Sequence, residues 1–153
     1  MEALQIVLRV LHISAALALG GALIYQRVAL GPALAAIDDA TGNAVRQRLA
    51  RRWVGVAVTG IALLLVTGLV NFIVFQVPAV RAQPYTGLYH GLFGLKFLVG
   101  LGLFHVGLLL SLPGPRFDAV RARATGWLNW ALVLLALIVV LSALLRYLPT
   151  FYK

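Results

Sequence analysis

Residues 127–148 read WLNWALVLLALIVVLSALLRYL, and the reading of this stretch decides the fold. Arg146 is its one charged residue, and the rest is apolar or aromatic apart from Asn129, Ser142 and Tyr147. A helix of this length, rising ~1.5 Å per residue, crosses the ~30 Å of hydrocarbon in a bilayer. Three stretches of the same kind precede it, from about Leu4 to Leu30, from Trp53 to Phe75 near Pro78, and from Leu88 to Leu112. Proline or glycine marks each boundary, at Gly31-Pro32, Pro78, Pro113-Gly114-Pro115 and Pro149. The first stretch is too long, and too directly followed by others, to read as a removable signal peptide.

Composition agrees with this pattern. Hydrophobic residues make up 62% of the chain and charged residues 11%, with a mean hydropathy of +0.98, far from the values of a water-soluble domain. The expected fold is therefore all-α, a single integral membrane four-helix bundle over residues 1–153. The chain has no cysteine, which excludes disulfides, iron–sulfur clusters and thiolate metal sites. Between the first two spans, Ala33 to Arg52 is alanine-rich and carries Asp38, Asp39, Arg46, Arg48, Arg51 and Arg52; it reads as a short helix on the membrane surface and as the longest connection.

Basic residues set the expected orientation. Arg27, Arg46, Arg48, Arg51 and Arg52 flank the first connection and Arg116, Arg121 and Arg123 lie in the third, against Arg9, Arg81, Arg146 and Lys153 at the opposite end. The positive-inside rule then places both termini outside; the bacterial cytoplasmic (inner) membrane expected for this multi-pass protein is what the resemblance given below implies. A net charge of +9 in arginines beside apolar spans fits topology and contact with anionic lipid, not nucleic acid.

Within the span cores only His12, Lys96 and His105 can ionise, and a protonatable group in hydrocarbon faces a partner, a cavity or a cofactor. Counting at ~1.5 Å per residue puts His12 and Lys96 at one depth, with His90 roughly 9 Å nearer the outer surface and His105 roughly 14 Å nearer the inner. At 100° per residue Arg9, His12, Ala16, Leu19, Leu23 and Gln26 form one stripe of span one. Gly60, Leu64, Thr67 and Asn71 align on span two, with Thr67 and Asn71 in the same half as His12. Lys96, Gly100, Leu103 and Gly107 align on span three, with His90 and His105 pointing away. An interfacial anchor beside Tyr89 is as good a reading of His90 as a ligand role, and a hydrogen bond to a neighbouring carbonyl accounts for His105.

Paired imidazoles, or an imidazole and an amine on facing helices, hold haem iron in a bundle while arginines neutralise the propionates. Covalent attachment is excluded because Cys-x-x-Cys-His is absent. Copper conduction lacks soft ligands, Met1 being the only methionine, and no span contains a carboxylate for a proton or cation carrier.

Leu8-Arg9-Val10-Leu11-His12, then Gly20-Gly21 and Pro32, Arg51-Arg52-Trp53 leading to Thr67-Gly68, and Gly94-Leu95-Lys96 occur in an order that resembles the CopD/HemJ-type membrane superfamily. The stretch Tyr89 to Lys96 is also similar to a Tyr-His-x-x-x-Gly-x-Lys segment of small four-span proteins. The HemJ-type resemblance implies haem b binding and oxidation of protoporphyrinogen IX, with His12 and Lys96 at the catalytic positions; the CopD side implies copper handling. HemJ-type chains carry a Trp-Leu-His-x-Lys segment, whereas here His90 precedes Lys96 by a further turn. The expected site lies between spans one and three. It comprises His12 and His90 as metal ligands, Lys96 as opposite ligand or propionate contact, Arg9 as second propionate partner and Asn71 beside them, with a quinone as electron partner. The alternative is a non-catalytic assembly subunit, in a homo-oligomer or larger membrane complex, packing through Gly91, Gly94, Gly100, Gly102 and Gly107.

Overall fold

The computed structural model describes residues 2–152, which are helical almost throughout and contain no strand. Met1 and Lys153, the latter counted above among the basic residues at the termini end, lie outside them. Helix α1 (Glu2–Tyr25) runs through a π-helical turn, Gln26–Leu30, into α2 (Gly31–Ala35). Helix α3 (Asp39–Val70) runs through a second π turn, Asn71–Gln76, into α4 (Val77–Val80). Helix α5 (Thr86–Ser111) follows, and after a 3₁₀ turn and α6 (Asp118–Ala122), α7 (Ala124–Tyr147) closes the bundle and ends in a 3₁₀ turn, Leu148–Tyr152. These make four rods, each long and apolar enough to cross a membrane.

Principal contacts run α1 to α3, α3 to α5, α5 to α7 and α7 to α1, an up-and-down ring that short connections impose. The outer surface carries large aliphatics, with Leu17 71% and Leu98 66% exposed, while Ala131 is 0% exposed against Leu23, Leu103, Val106 and Leu128. Large residues outside and small ones at the seams characterise helices packed in lipid, where close backbone approach replaces the hydrophobic drive. At Gly60 the approach of α1 is tightest, since a β-carbon there would meet the Leu19 side chain at 3.0 Å.

The two π turns have a common cause. Pro32 and Pro78 each lack an N–H, and each ring collides with the carbonyl four residues back, Val28 or Val74, inside the preceding turn. The backbone widens there, so Gly31 N–H donates to Gln26 O and Val77 N–H to Phe72 O, five residues back.

One expectation is corrected. Residues 39–52 do not form a separate surface helix; they are the first turns of α3, continuous with span two. No proline interrupts Asp39–Val70, and Gly42 and Gly55 alone do not break a helix whose start is capped. The first connection is therefore short, Ala36 to Asp38. The other turns are clipped by side chains: Arg121 donates to Leu112 O at 2.7 Å and to Gly114 O at 2.5 Å, around a Gly114 φ of 114° that glycine alone adopts without strain. Thr86 bonds Val80 O and Gln83 O across the α4–α5 turn.

Asp38 caps α3 by accepting from Thr41 N–H at 2.9 Å, and that bond holds its exposed carboxyl below the ordinary carboxylate range. With the folded value depressed, the cap's contribution is complete above the ordinary carboxylate range and is lost as pH falls through the lowered value. Asp38→Ala should therefore reduce amide-exchange protection at Thr41 at neutral pH, and acidification of the wild type should do the same. Gly60→Val should destabilise the bundle by about 1–3 kcal/mol by pushing against Leu19, read from unfolding in detergent.

Candidate functional site

All four rods surround a cavity of about 610 Å³ that extends from Arg9, Tyr85, Arg146 and Pro149 at the termini end to Gln26, Trp53 and Ser111 at the other. The whole span-one stripe, Arg9, His12, Ala16, Leu19, Leu23 and Gln26, lines it. So do Leu64 and Thr67 from α3, Asn71 from the π turn after it, and Lys96, Gly100, Leu103 and Gly107 from α5. Gly60 does not line it and instead receives Leu19.

His12 is oriented by a two-step relay. Thr67 Oγ1 lies 2.6 Å from Leu63 O and 2.8 Å from His12 Nδ1. A carbonyl carries no proton, so the Thr67 hydroxyl donates to Leu63 O and its oxygen accepts from Nδ1–H of His12. In the neutral ring this network leaves the lone pair on Nε2, the arrangement a second contact confers on metal-binding imidazoles. Gly68 makes room for the ring, because a β-carbon there would stand 3.2 Å from His12 Cε1.

Lys96, half-buried on the opposite wall, has no hydrogen-bond partner among the described residues. Asn71, the first residue of the second π turn, has its Oδ1 buried with no donor. Tyr89 donates to Gln76 Oε1 at 3.1 Å, closing the wall between α5 and the π turn. Phe72 stacks on Phe93 at 3.5 Å, and both rings line the cavity.

The two other histidines are elsewhere. His90 is exposed on the outer face of α5, its ring edge-on to Phe72 at 5.7 Å, and it does not line the cavity. His105 is likewise exposed and outside the lining. Thus His12, Lys96, Arg9 and Asn71 share one cavity, and His90 does not join them. Seven residues separate His90 from Phe97, so both lie on nearly one helical line, but the ring packs outward against Phe72. No group of three or more histidine, cysteine or acidic side chains fit to hold a metal occurs among the described residues.

Arg146, counted above only among the basic residues of the termini end, is also a lining residue. A signal was there, since Leu135, Ile138, Ser142 and Arg146 recur at three- and four-residue steps on one face of α7, and all four line the cavity. Among the described residues the charged side chains of the lining are Arg9, Lys96 and Arg146, and no acidic residue lines it. The glycines of α5 are dispersed: Gly100 and Gly107 line the cavity, Gly102 faces Leu134 on α7, and Gly91 is exposed.

Compared with known proteins, the chain matches no family model, no curated protein and no solved structure.

Thr67→Val should release the His12 ring, so that imidazole ¹⁵N shifts change from a single Nδ1–H form to a mixture of tautomers. Lys96→Met should raise the stability of the ligand-free protein by on the order of 1–3 kcal/mol, because it removes an unpartnered ammonium from an apolar bundle.

Proposed function

We propose that this is an integral membrane protein of the bacterial cytoplasmic membrane, termini outward, whose intramembrane cavity binds haem b or a related porphyrin. Orientation rests on the excess of arginine around the first and third connections. The membrane assignment follows the resemblance to the CopD/HemJ-type superfamily. The observation that carries the binding reading is a cavity whose lining, among the described residues, collects cations but no acid around an imidazole with its Nε2 lone pair left free.

The residues present fit such a group. A volume of about 610 Å³ falls within the ~300–1,000 Å³ usual for cofactor and ligand sites. The walls are aliphatic and aromatic, with Phe93, Phe97 and Phe104 along α5. His12 Nε2 would ligate iron, Lys96 would serve as the opposite ligand or pair with a propionate, and Arg9 would pair with the other propionate. His90 is left out of the ligand set, because its ring packs on the outside of α5. Bound iron porphyrin supplies one-electron redox chemistry. The chain's own part is to fix the ring tautomer through Thr67, to neutralise carboxylates and to exclude water with apolar walls. Porphyrinogen oxidation with a quinone as electron partner is the enzymatic form of this reading, and it rests on the resemblance alone.

Purification in mild detergent should give a protein with near-stoichiometric haem b by pyridine haemochrome, with a reduced-minus-oxidised difference spectrum. His12→Ala should lose the pigment, and Arg9→Gln should weaken it. A protein that stays colourless after haem is added rejects the reading; co-purification with a stoichiometric membrane partner would then support the assembly-subunit alternative.

A further inference from the structure

The porphyrin reading uses His12, Lys96 and Arg9, all toward the termini end, and leaves half of the cavity without a role. Beyond His12 the lining continues for roughly 20 Å of helix to Gln26 and Trp53, along Leu23, Ala57, Ile61, Phe104 and Leu110. This arm is apolar and carries no charge. Its width comes from two glycines on α5. Gly100 and Gly107 both line the cavity, and a β-carbon at either would meet nothing within 4 Å. These glycines therefore leave open space instead of admitting a neighbouring helix, which is the usual use of glycine between membrane helices.

The mouth of the arm has the opposite character. Arg9 on α1 and Arg146 on α7 line it from two helices, and neither has a hydrogen-bond or ion-pair partner among the described residues. Among the described acids, Asp38 and Asp39 lie at the far end of the bundle and Glu2 lies outside the lining. A cationic mouth leading to a long, uncharged arm is complementary to a molecule with an anionic head and one apolar chain.

We infer that the cavity binds a single-chain anionic amphiphile drawn from the membrane, its carboxylate or phosphate head held by Arg9 and Arg146 and its chain running past Gly100 and Gly107 toward Trp53. The inference does not rest on the porphyrin reading, since it uses the arm and Arg146, which that reading leaves aside. The two ligands share Arg9, so they compete, and chain binding is measured on pigment-free protein.

Trp53 lines the far end of the arm and reports on a chain that reaches it. In a Trp127→Phe/Trp130→Phe protein, an ω-brominated hexadecanoic acid should quench Trp53 fluorescence saturably and be displaced by the unbrominated acid. Its methyl ester should bind about tenfold more weakly, corresponding to ~1.4 kcal/mol for the lost charge contact. A brominated hexadecyl phosphate separates the two head chemistries: the tighter of acid and phosphate identifies the natural head. Arg146→Gln should cost the acid about tenfold and leave the ester unchanged, and Gly107→Leu should abolish quenching by filling the arm. Native mass spectrometry of the unsubstituted protein and of Gly107→Leu gives the same comparison should the tryptophan-reduced protein not fold. Equal binding of acid and ester, or full quenching in Gly107→Leu, overturns the inference. Haem spectra of Gly107→Leu keep the two readings apart: pigment retained with chain binding lost fits both, whereas chain binding in a protein that never takes up haem removes only the porphyrin reading.

Discussion

A backbone N–H or C=O among apolar side chains must find its partner within the chain, and the architecture of this protein follows from that requirement. It makes the four rods helical and keeps their connections short. It also explains the two π turns, where Pro32 and Pro78 remove a donor and the backbone re-pairs five residues back without breaking the rod. Hydroxyls within the rods, buried at Thr67 and Ser111 and half-buried at Ser142, obey the same demand. Thr67, Ser111 and Ser142 each donate to the carbonyl four residues earlier, to Leu63, Gly107 and Ile138. Each proton is thereby committed to its own helix, and the oxygen remains an acceptor.

That commitment shapes the site. Because Thr67 has given its only proton to Leu63, it can only receive from His12, and the ring is held with Nδ1–H toward α3. A residue with no reactive chemistry of its own thus sets the state of the imidazole. Lys96, Arg9, Arg146 and the Asn71 side-chain oxygen, each without a hydrogen-bond partner among the described residues, border this one cavity.

Much of this was legible in the residues. The span-one stripe from Arg9 to Gln26 and the α5 stripe from Lys96 to Gly107 were read from helical spacing, and the same residues line the cavity. Spacing also placed His105 off that face; His90, off the Lys96 stripe but in line with Phe97, was expected as a ligand and does not line the cavity. Other features depended on particulars that periodicity does not carry. Gly60 shares the stripe of Thr67, yet Leu19 occupies the space in front of it, so it belongs to the α1–α3 seam. The arginine-rich segment after Asp38 has the composition of a surface helix, but without a breaker before Trp53 it continues α3.

The sequence by itself determined the class of the protein: four apolar rods, their breaks at proline and glycine, and the faces that carry its few polar groups. Those follow from local rules of hydropathy, helical period and missing donors, each of which acts within one segment. Tertiary structure alone decided that the faces leave a continuous cavity, that Thr67 meets His12, that Arg146 joins the lining, and that Gly100 and Gly107 open space while Gly60 closes it. Each of those depends on what the neighbouring helix presents at the same depth, and a glycine's meaning in particular is set by the side chain across from it.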